Sequence, residues 1–313
     1  MEDVIIIGSG PAGLSAALYA ARDDLKPLVI TGTTAGGQLL LTTTVENYPG
    51  FPDGVEGSEL IDLMRKQAEK FGARFVDGDI TKVDFSSRPF KLWVGEQVYE
   101  ANSVIIATGA SARWLGIESE KKFIGRGVSS CATCDGAFFR NKNVIVVGGG
   151  DTALEDAIFL TRFANTVTIV HRRDQLRASK IMQERAFSNP KIKFIWNTVV
   201  EEIKGDAKVS GVKLRNVVTN EISEMPIDGV FVAIGNQPNT KPFEGQLQLD
   251  EKGYIVTQNV VFTNVEGVFA AGDVADTFYQ QAITAAGTGV MAALRVREYI
   301  SKLKYEQSKK QGN

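Results

Sequence analysis

One pattern occurs twice in this chain, about 140 residues apart, and it limits the possible folds more than any other feature. The first copy covers residues 3–32 and the second covers residues 143–173. Each copy consists of a short β-branched strand, a glycine-rich turn, an amphipathic helix and a second apolar strand. A helix that connects two neighbouring strands in this way produces a parallel βαβ unit. The sequence therefore predicts an α/β fold with parallel sheets.

The glycines of each turn meet separate geometric demands. In the first copy, Gly8 permits the tight turn, Gly10 lets the backbone approach a pyrophosphate, and Gly13 lets the helix pack close to the strand. The same three positions of the second copy are occupied by Gly148, Gly150 and Ala153. A pyrophosphate would lie against the free N–H groups at the positive end of each helix. Two such turns predict two Rossmann-like dinucleotide-binding domains, each with its own dinucleotide.

A basic segment ends the second copy, where an NAD-type site usually has an acid for the ribose hydroxyls. It contains His171, Arg172 and Arg173, with Arg177 expected one helical turn further along. Guanidinium groups at this point suit a 2′-phosphate and favour NADPH over NADH. The alternative is a solvated basic stretch at a helix start, although cations there would oppose the helix dipole.

The first copy ends without an acid, so its ligand is inferred from other segments. Residues 31–38 form a second glycine-rich loop, and residues 268–276 form a strand that leads into Asp273. A carboxylate at such a strand end accepts a hydrogen bond from a sugar hydroxyl, which fits the ribityl chain of FAD. Asn47 is then expected near the flavin ring. The alternative for Asp273 is a turn aspartate that caps the following helix.

The two cysteines of the chain lie together in the segment Cys131-Ala-Thr-Cys134, and the chain has one histidine. A structural zinc site needs about four ligands, so we predict no metal site. The spacing favours a redox dithiol over two inert buried cysteines. Asp135 is the nearest acid, and we predict that it protonates the departing thiolate. The alternative for Asp135 is a turn residue before Gly136.

The composition and charge exclude several other classes of partner. With 35 basic and 37 acidic side chains, the net charge of −2 gives no field that would attract nucleic acid or an anionic membrane. Met1 leads directly into an apolar strand without the basic segment of a secretory signal, and no apolar stretch is long enough to span a bilayer. We therefore expect a cytoplasmic protein.

Together the motifs closely resemble those of the low-molecular-weight thioredoxin reductases, a class II pyridine nucleotide-disulfide oxidoreductase family. The resemblance covers nearly the whole chain and rests on the order and spacing of GSGPAG, AGGQL, VENYPG, ATGA, CATCDG, GGGDTALEDA, HRRDQLRASK, AIGNQPN, AAGDVAD and QQAITAAGTGVMAA. It implies a homodimeric thioredoxin-disulfide reductase. Electrons would pass from NADPH through FAD to the Cys131–Cys134 disulfide, with Cys134 nearer the flavin, and then to thioredoxin.

The resemblance also implies a division of the chain. Residues 1–112 and 243–313 would form a discontinuous FAD-binding domain, and residues 113–242 an inserted NADPH-binding domain that carries the dithiol. The FAD contacts would be Gly8, Gly10, Pro11, Ala12, Gly13, Thr31, Gly36, Gly37, Gln38, Asn47, Ala107, Thr108, Gly109, Gly272, Asp273, Gln281, Ala282 and Ile283. The NADPH contacts would be Gly148, Gly150, Asp151, Thr152, Ala153, His171, Arg172, Arg173, Arg177, Ile234 and Gly235. The polar, lysine-rich segment 302–313 is expected to fray as a tail.

Two kinds of alternative function share these motifs. A related flavoprotein could reduce a glutaredoxin-like or peroxidase carrier, or oxidise a small dithiol with oxygen. A flavin redox sensor would bind nucleotides without turnover, but it would have no need of the CATCD segment. A variant fed by ferredoxin would have no use for the basic segment at Arg172. One departure from the family is Gln280, where an arginine often precedes QAIT, so flavin affinity or potential is expected to differ here.

Overall fold

The computed structural model describes residues 1–32, 35–41 and 44–311 of the chain. These residues form two compact units. Unit 1 consists of Met1–Ser111 together with Gln237–Asn313, and unit 2 consists of the contiguous segment Ala112–Asn236.

Helices separate some of the strands, and the strands within residues 74–112 and within residues 192–238 have no α-helix between them. The strands are β1 Glu2–Ile7, β2 Leu28–Ile30, β3 Thr44–Val45, β4 Val55–Glu56, β5 Arg74–Val76, β6 Ile80–Asp84, β7 Phe90–Val94, β8 Gln97–Ile106, β9 Ala110–Ala112, β10 Val128–Ser129, β11 Asn143–Val147, β12 Thr166–Val170, β13 Ile192–Ile195, β14 Thr198–Gly205, β15 Val209–Asn216, β16 Ile222–Pro226, β17 Gly229–Val232, β18 Asn236–Pro238 and β19 Val268–Ala270. The α-helices are α1 Pro11–Arg22, α2 Gly57–Lys70, α3 Glu118–Phe123, α4 Ala132–Asp135, α5 Asp151–Leu160, α6 Lys180–Phe187 and α7 Ala282–Gln311. Short 3-10 turns cover Gly37–Leu41, Gly136–Phe139, Lys241–Phe243 and Gly272–Val274.

A seven-stranded sheet forms the centre of unit 1. Strand β1 lies between β2 and β8 and is parallel to both. Beyond them, β5 is parallel to β2 and β19 is parallel to β8, while β6 and β7 continue the sheet in antiparallel pairing. The first βαβ unit predicted from sequence is therefore confirmed as β1–α1–β2.

Helix α1 is buried on almost every side, so its prediction as an amphipathic helix was wrong. Its buried residues include small side chains from Ala12 to Ala21. They pack in one cluster with residues of β1 and with Ala292 and Val296 of α7. A helix covered by both a sheet and a second helix needs small residues on all faces, which removes the polar face that the sequence pattern was expected to have.

A five-stranded parallel sheet forms the centre of unit 2, in the order β10-β17-β11-β12-β13. One face packs against α5 through residues such as Val146, Ile169 and Leu160. The other face packs against the antiparallel sheet β14-β15-β16 through residues such as Val170 and Val212. The second predicted βαβ unit is confirmed as β11–α5–β12.

Two local expectations from the sequence differ from the structure. The segment 302–311 was expected to fray but continues α7 to Gln311, and the Lys304 ammonium pairs with Asp3 at 2.8 Å; residues 312 and 313 lie outside the described residues. The basic segment after β12, for which a helix start was the alternative, precedes the helix, because residues 172–175 and 178 form bends and α6 begins only at Lys180. The expected conflict between Arg177 and a helix dipole therefore does not arise within a helix. Among the described residues, no helix combines the length and the apolar character needed to cross a bilayer.

Close packing of α7 on α1 depends on Gly289, where a Cβ atom would lie 2.1 Å from the carbonyl oxygen of Ala12. We expect Gly289→Ala to lower the free energy of unfolding by about 1–3 kcal/mol, because backbone must move to accept the methyl group. Gly287→Ala on the same helix is the matched control, since no atom lies within 4 Å of its Cβ position. Alanine there should stabilise the helix by up to about 1 kcal/mol. Urea unfolding of the two variants measures this, and changes of the same sign would contradict the packing argument.

Candidate active site

The two cysteines are joined in a disulfide at the start of α4, within unit 2. Both residues are partly exposed. The N–H of Cys131 donates to the Ser129 hydroxyl at 3.0 Å, and the Cys131 sulfur lies 3.4 Å from the Thr133 hydroxyl. The two-residue spacing therefore does what the sequence predicted and brings Cys131 and Cys134 into one bond, which is open to thiol–disulfide exchange.

Asp135 follows the disulfide directly and is half-buried at the end of α4. Its N–H donates to the Cys131 carbonyl at 3.1 Å, and its side chain is hydrogen-bonded to Ser129. Burial raises the pKa of Asp135, and the hydrogen bond to Ser129 opposes that rise. A carboxyl group that keeps its proton to a higher pH is suited to protonate a thiolate. Ser129 was missed by the sequence reasoning; its only signal was a hydroxyl two residues before Cys131.

The glycine turn of unit 1 has the geometry that the sequence predicted. Gly8 has φ 107°, and a Cβ there would lie 2.2 Å from the carbonyl oxygen of Ala107. A Cβ at Gly13 would lie 1.9 Å from the carbonyl oxygen of Gly8. Gly10 is different, since the nearest atom to its Cβ position is the Gly36 carbonyl oxygen at 4.0 Å. The backbone at Gly10 is thus left open to a close neighbour such as a pyrophosphate.

Ser9 connects this turn to two other parts of the site and was missed by the sequence reasoning. Its hydroxyl donates to the Thr31 carbonyl at 2.9 Å and accepts from the Gly36 N–H at 3.0 Å. The Thr31 hydroxyl lies 2.9 Å from a carboxylate oxygen of Asp77, just beyond β5. The end of β2 has no acid, but Asp77, which follows the neighbouring strand β5, places a carboxylate there. Because Asp77 is far from β2 in the sequence, no local pattern could indicate this contact.

The second glycine-rich loop of unit 1 is described only in part. Thr33 and Thr34 lie outside the described residues. Gly36 and Gly37 have φ 107° and 68°, values that favour glycine, and Gln38 belongs to the 3-10 turn that follows. The Cβ position of Gly37 is 3.8 Å from the Cα of Gly10, so the loop borders the first turn.

Asp273 lies in the 3-10 turn after β19, and one of its carboxylate oxygens is buried without a hydrogen-bond partner among the described residues. Burial, and next the charge of Asp276, raise the pKa of Asp273 to about 7. The alternative of a capping aspartate fits Asp276 instead, which accepts from the N–H groups of Phe278, Tyr279 and Gln280. A buried oxygen without a donor fits a hydroxyl-bearing ligand. Gly272 beside it donates its N–H to the Thr288 hydroxyl at 2.9 Å.

Asn47 and Gln281 meet although 234 residues separate them, with the Asn47 amide donating to the Gln281 side chain at 3.3 Å. Both were predicted to lie near the flavin. Gln280, the departure from the family, has φ 48° and donates to the Tyr254 hydroxyl at 3.2 Å. The remaining predicted FAD contacts lie at strand ends or helix starts: Pro11, Ala12, Ala107, Thr108, Gly109, Ala282 and Ile283.

The glycine turn of unit 2 repeats the geometry of the first. A Cβ at Gly148 would lie 2.4 Å from the carbonyl oxygen of Ala233 and 2.6 Å from the Cβ of Ala153. No atom lies within 4 Å of the Cβ position of Gly150. This turn therefore also leaves its last glycine open, at the start of α5. The next two predicted contacts, Asp151 and Thr152, begin α5.

Three exposed arginines follow β12: Arg172, Arg173 and Arg177. Within residues 1–32, 35–41 and 44–311, none of them forms an ion pair. Ile234 and Gly235 follow β17, which pairs with β11, at the same carboxyl edge of the sheet. Three exposed guanidinium groups with no ion pair among the described residues, beside an open glycine turn, suit an anionic ligand.

Asp156 on α5 is an acid that the sequence reasoning missed. It is largely covered, and burial followed by the charge of Glu155 raises the pKa of Asp156 to about 7. No motif in the sequence includes Asp156, so the pattern could not indicate that this acid is covered.

The comparisons with known proteins agree with this arrangement. The family model described as pyridine nucleotide-disulphide oxidoreductase matches residues 2–289. The chain therefore belongs to the pyridine nucleotide-disulphide oxidoreductase family.

Its relatives point to one branch of that family. The chain is 55% identical over 304 residues to a thioredoxin reductase of Rickettsia prowazekii, covering 96% of this chain and 98% of the relative. It is 55% identical over 309 residues to a thioredoxin reductase of Streptomyces coelicolor, covering 98% and 96%. A solved thioredoxin reductase from Streptococcus pyogenes matches with a TM-score of 0.92 at 46% identity, covering 96% and 99%. The predicted α/β fold with two dinucleotide-binding domains, and the resemblance to thioredoxin reductases, are confirmed.

Asp156 allows a test of the electrostatics of unit 2. Because the pKa of Asp156 rises from 3.8 to about 7 on folding, its contribution to stability is present below about pH 4 and is lost as the pH rises to about 7. Asp156→Asn should therefore raise the melting temperature at pH 8 and leave it unchanged at pH 4. The free energy of unfolding at pH 8 should increase by up to about 4 kcal/mol. Asp206→Asn, at an exposed turn, is the control. An equal effect of Asp156→Asn at both pH values would contradict this assignment.

Proposed function

We propose that this chain uses NADPH to reduce the disulfide of thioredoxin, with FAD in the domain formed by residues 1–112 and 243–313 and NADPH in the domain formed by residues 113–242. The observation that carries the proposal is the Cys131–Cys134 disulfide, which lies beside Asp135, whose pKa is raised, and in the same compact unit as an open glycine turn and arginines that form no ion pair within the described part of the chain. The identity to thioredoxin reductases over almost the full chain supports it.

The described residues of unit 1 fit FAD. Gly8, Gly10 and Gly13 would leave room for the pyrophosphate. The buried Asp273 oxygen that has no hydrogen-bond partner among the described residues would accept a hydrogen bond from the ribityl chain. Such a bond would also lower the cost of burying that carboxylate. Asn47 and Gln281 would border the ring, and the predicted contacts of the loop 36–38 would complete the site.

The residues of unit 2 fit NADPH. The turn Gly148–Gly150 would receive the pyrophosphate at the start of α5, and Arg172, Arg173 and Arg177 would bind the 2′-phosphate. Ile234 and Gly235 would border the nicotinamide half. Guanidinium groups lose their favourable role when the ligand lacks that phosphate, so NADPH is preferred over NADH.

Bound flavin supplies the conversion of a hydride into an electron pair that sulfur accepts. Opening of the Cys131–Cys134 disulfide takes up two electrons and two protons and leaves two thiols. Asp135 would give one proton to the departing thiolate and recover it from the solvent. The dithiol would then exchange with the thioredoxin disulfide through a mixed disulfide, which returns the Cys131–Cys134 bond. The homodimer implied by the family resemblance and the cytoplasmic location expected from the sequence remain predictions.

The proposal is tested by replacing both sulfurs. The variant Cys131→Ser/Cys134→Ser should lose NADPH-dependent reduction of thioredoxin, because no sulfur remains to accept electrons. It should still show bleaching of the flavin absorbance on anaerobic addition of NADPH, which also controls for correct folding. A panel of thioredoxin, glutaredoxin-like and peroxidase carriers, assayed with NADPH and NADH, identifies the carrier and the nucleotide.

Three results would contradict the proposal. Disulfide reductase activity in the double variant would remove the dithiol from the reaction. Absence of bleaching in the unchanged chain would favour the redox sensor. Faster turnover with another carrier than with thioredoxin would assign the chain to a different carrier.

Asp135→Asn should slow thioredoxin reduction by about 10²-fold or more, because an amide cannot donate the proton. The unchanged enzyme should also slow as the pH rises through the raised pKa of Asp135, whereas the variant should lack this limb of the pH profile. Stopped-flow bleaching by NADPH, measured in parallel, should be unaffected. Equal loss of both steps would reject a role in proton transfer.

A further inference from the structure

We propose that Asp151 and Ser179, together with His171, are positioning residues that hold the arginine segment 172–177 against the glycine turn 148–150 and so set the preference for a 2′-phosphate. The inference rests on the proposed NADPH site. It changes the role expected for Asp151 and His171 from contact with the nucleotide to support of the segment that contacts it.

The first connection is between the starts of two helices. One carboxylate oxygen of Asp151, the first residue of α5, accepts the Ser179 N–H at 2.8 Å and the Ser179 hydroxyl at 2.7 Å. Ser179 is the residue just before α6. Hydrogen bonds to an ionised carboxylate are among the stronger ones in proteins. Asp151 therefore links Ser179, just after the arginine segment, to the start of α5, where the pyrophosphate would bind.

The second connection runs through Gly149, in the middle of the turn. Its carbonyl accepts the N–H of Arg177 at 2.7 Å and that of Ala178 at 3.2 Å. The His171 ring lies directly over it, since a Cβ at Gly149 would be 2.3 Å from two ring atoms. The middle position of the turn thus accepts only glycine, a requirement that the G-x-G pattern does not contain.

The third connection is the His171 side chain itself. The residue is buried, and its Nε2 lies 3.0 Å from the Gln175 carbonyl oxygen. Burial lowers the pKa of His171, while backbone hydrogen bonds to Gln175 and Gly148 oppose the change and the charges of Arg177 and Arg173 add to it. The neutral ring then donates from Nε2 to the Gln175 carbonyl. A buried ring engaged with the backbone of its own segment acts as a support for that segment.

These contacts hold the backbone of the arginine segment at Gln175 and Arg177, and the two residues after it, Ala178 and Ser179, through hydrogen bonds to the protein itself. The guanidinium groups stay exposed and without ion pairs among the described residues. Less ordering is then required when a phosphate binds, so affinity for the phosphate increases. Loss of the Asp151–Ser179 hydrogen bonds should lower the affinity for ligands that carry a 2′-phosphate and leave the affinity for ligands without it unchanged.

The test compares two probes that differ only in that group. Binding of 2′,5′-ADP and of 5′-AMP to the full flavin-loaded chain is measured by calorimetry for the unchanged protein and for Ser179→Ala, Asp151→Ala and Asp151→Asn. Ser188→Ala is the matched control, because Ser188 lies at the other end of α6 and its hydroxyl bonds only the Arg185 carbonyl among the described partners.

Asp151→Ala and Ser179→Ala should each lower the affinity for 2′,5′-ADP about tenfold and should change the affinity for 5′-AMP less than about twofold. Asp151→Asn removes the same charge as Asp151→Ala but keeps the acceptor for Ser179, so it should retain most of the affinity for 2′,5′-ADP. Ser188→Ala should change neither probe. Rescue by asparagine separates a hydrogen-bonding role from a charge effect.

Other outcomes would overturn the proposal. Equal weakening of both probes would place Asp151 in contact with the shared part of the nucleotide. Identical behaviour of Asp151→Ala and Asp151→Asn would assign the effect to charge. Unchanged binding of both probes by Ser179→Ala would show that the hydrogen bond from Ser179 to Asp151 does not affect nucleotide affinity. If the unchanged chain itself failed to prefer 2′,5′-ADP, the NADPH assignment would fail as well, whereas the first three results leave that assignment standing.

Discussion

Both nucleotide sites depend on one close approach of backbone to backbone. The first glycine of each turn lies so near the carbonyl that follows the neighbouring strand that no side chain fits: Gly8 against Ala107, and Gly148 against Ala233. This contact lets the chain leave β1 or β11 and enter a helix at once, so that the helix start faces the carboxyl edge of the sheet. Everything that would hold a phosphate follows from that position.

The two sites share this turn and differ in what lies beside it. Around the first turn, the neighbouring groups are hydroxyls and carboxylates, such as Ser9, Asp77 and the donorless oxygen of Asp273. Around the second they are cations, supported by a histidine and by a carboxylate that is already engaged with Ser179. The same scaffold therefore offers one site suited to sugar hydroxyls and one suited to an additional phosphate. The chemistry of each is decided by residues other than the glycines that the two turns share.

The sequence was sufficient for the parts of the fold that depend on local pattern. Both βαβ units, the cysteine pair and the demands on Gly8 and Gly148 follow from short stretches of chain and are found in the structure. Contacts between distant segments were not predictable in this way, for example the Thr31–Asp77 and Asp151–Ser179 bonds. The helix α1 was misjudged because its pattern depends on α7, which is far away in sequence and packs over it, so that few of its residues remain exposed.

The division of unit 1 into two segments has a consequence for how the protein is made. Its sheet is incomplete until β19 has been translated, and α1 has no packing partner in α7 until residues 282–311 have been translated. Unit 2 is continuous and carries its own two-layered core, so it has all its partners while the ribosome is still at work. Unit 2, which carries the dithiol, can thus acquire its structure first, and unit 1 is completed only after α7 has been made, when Lys304 pairs with Asp3 and joins α7 to β1.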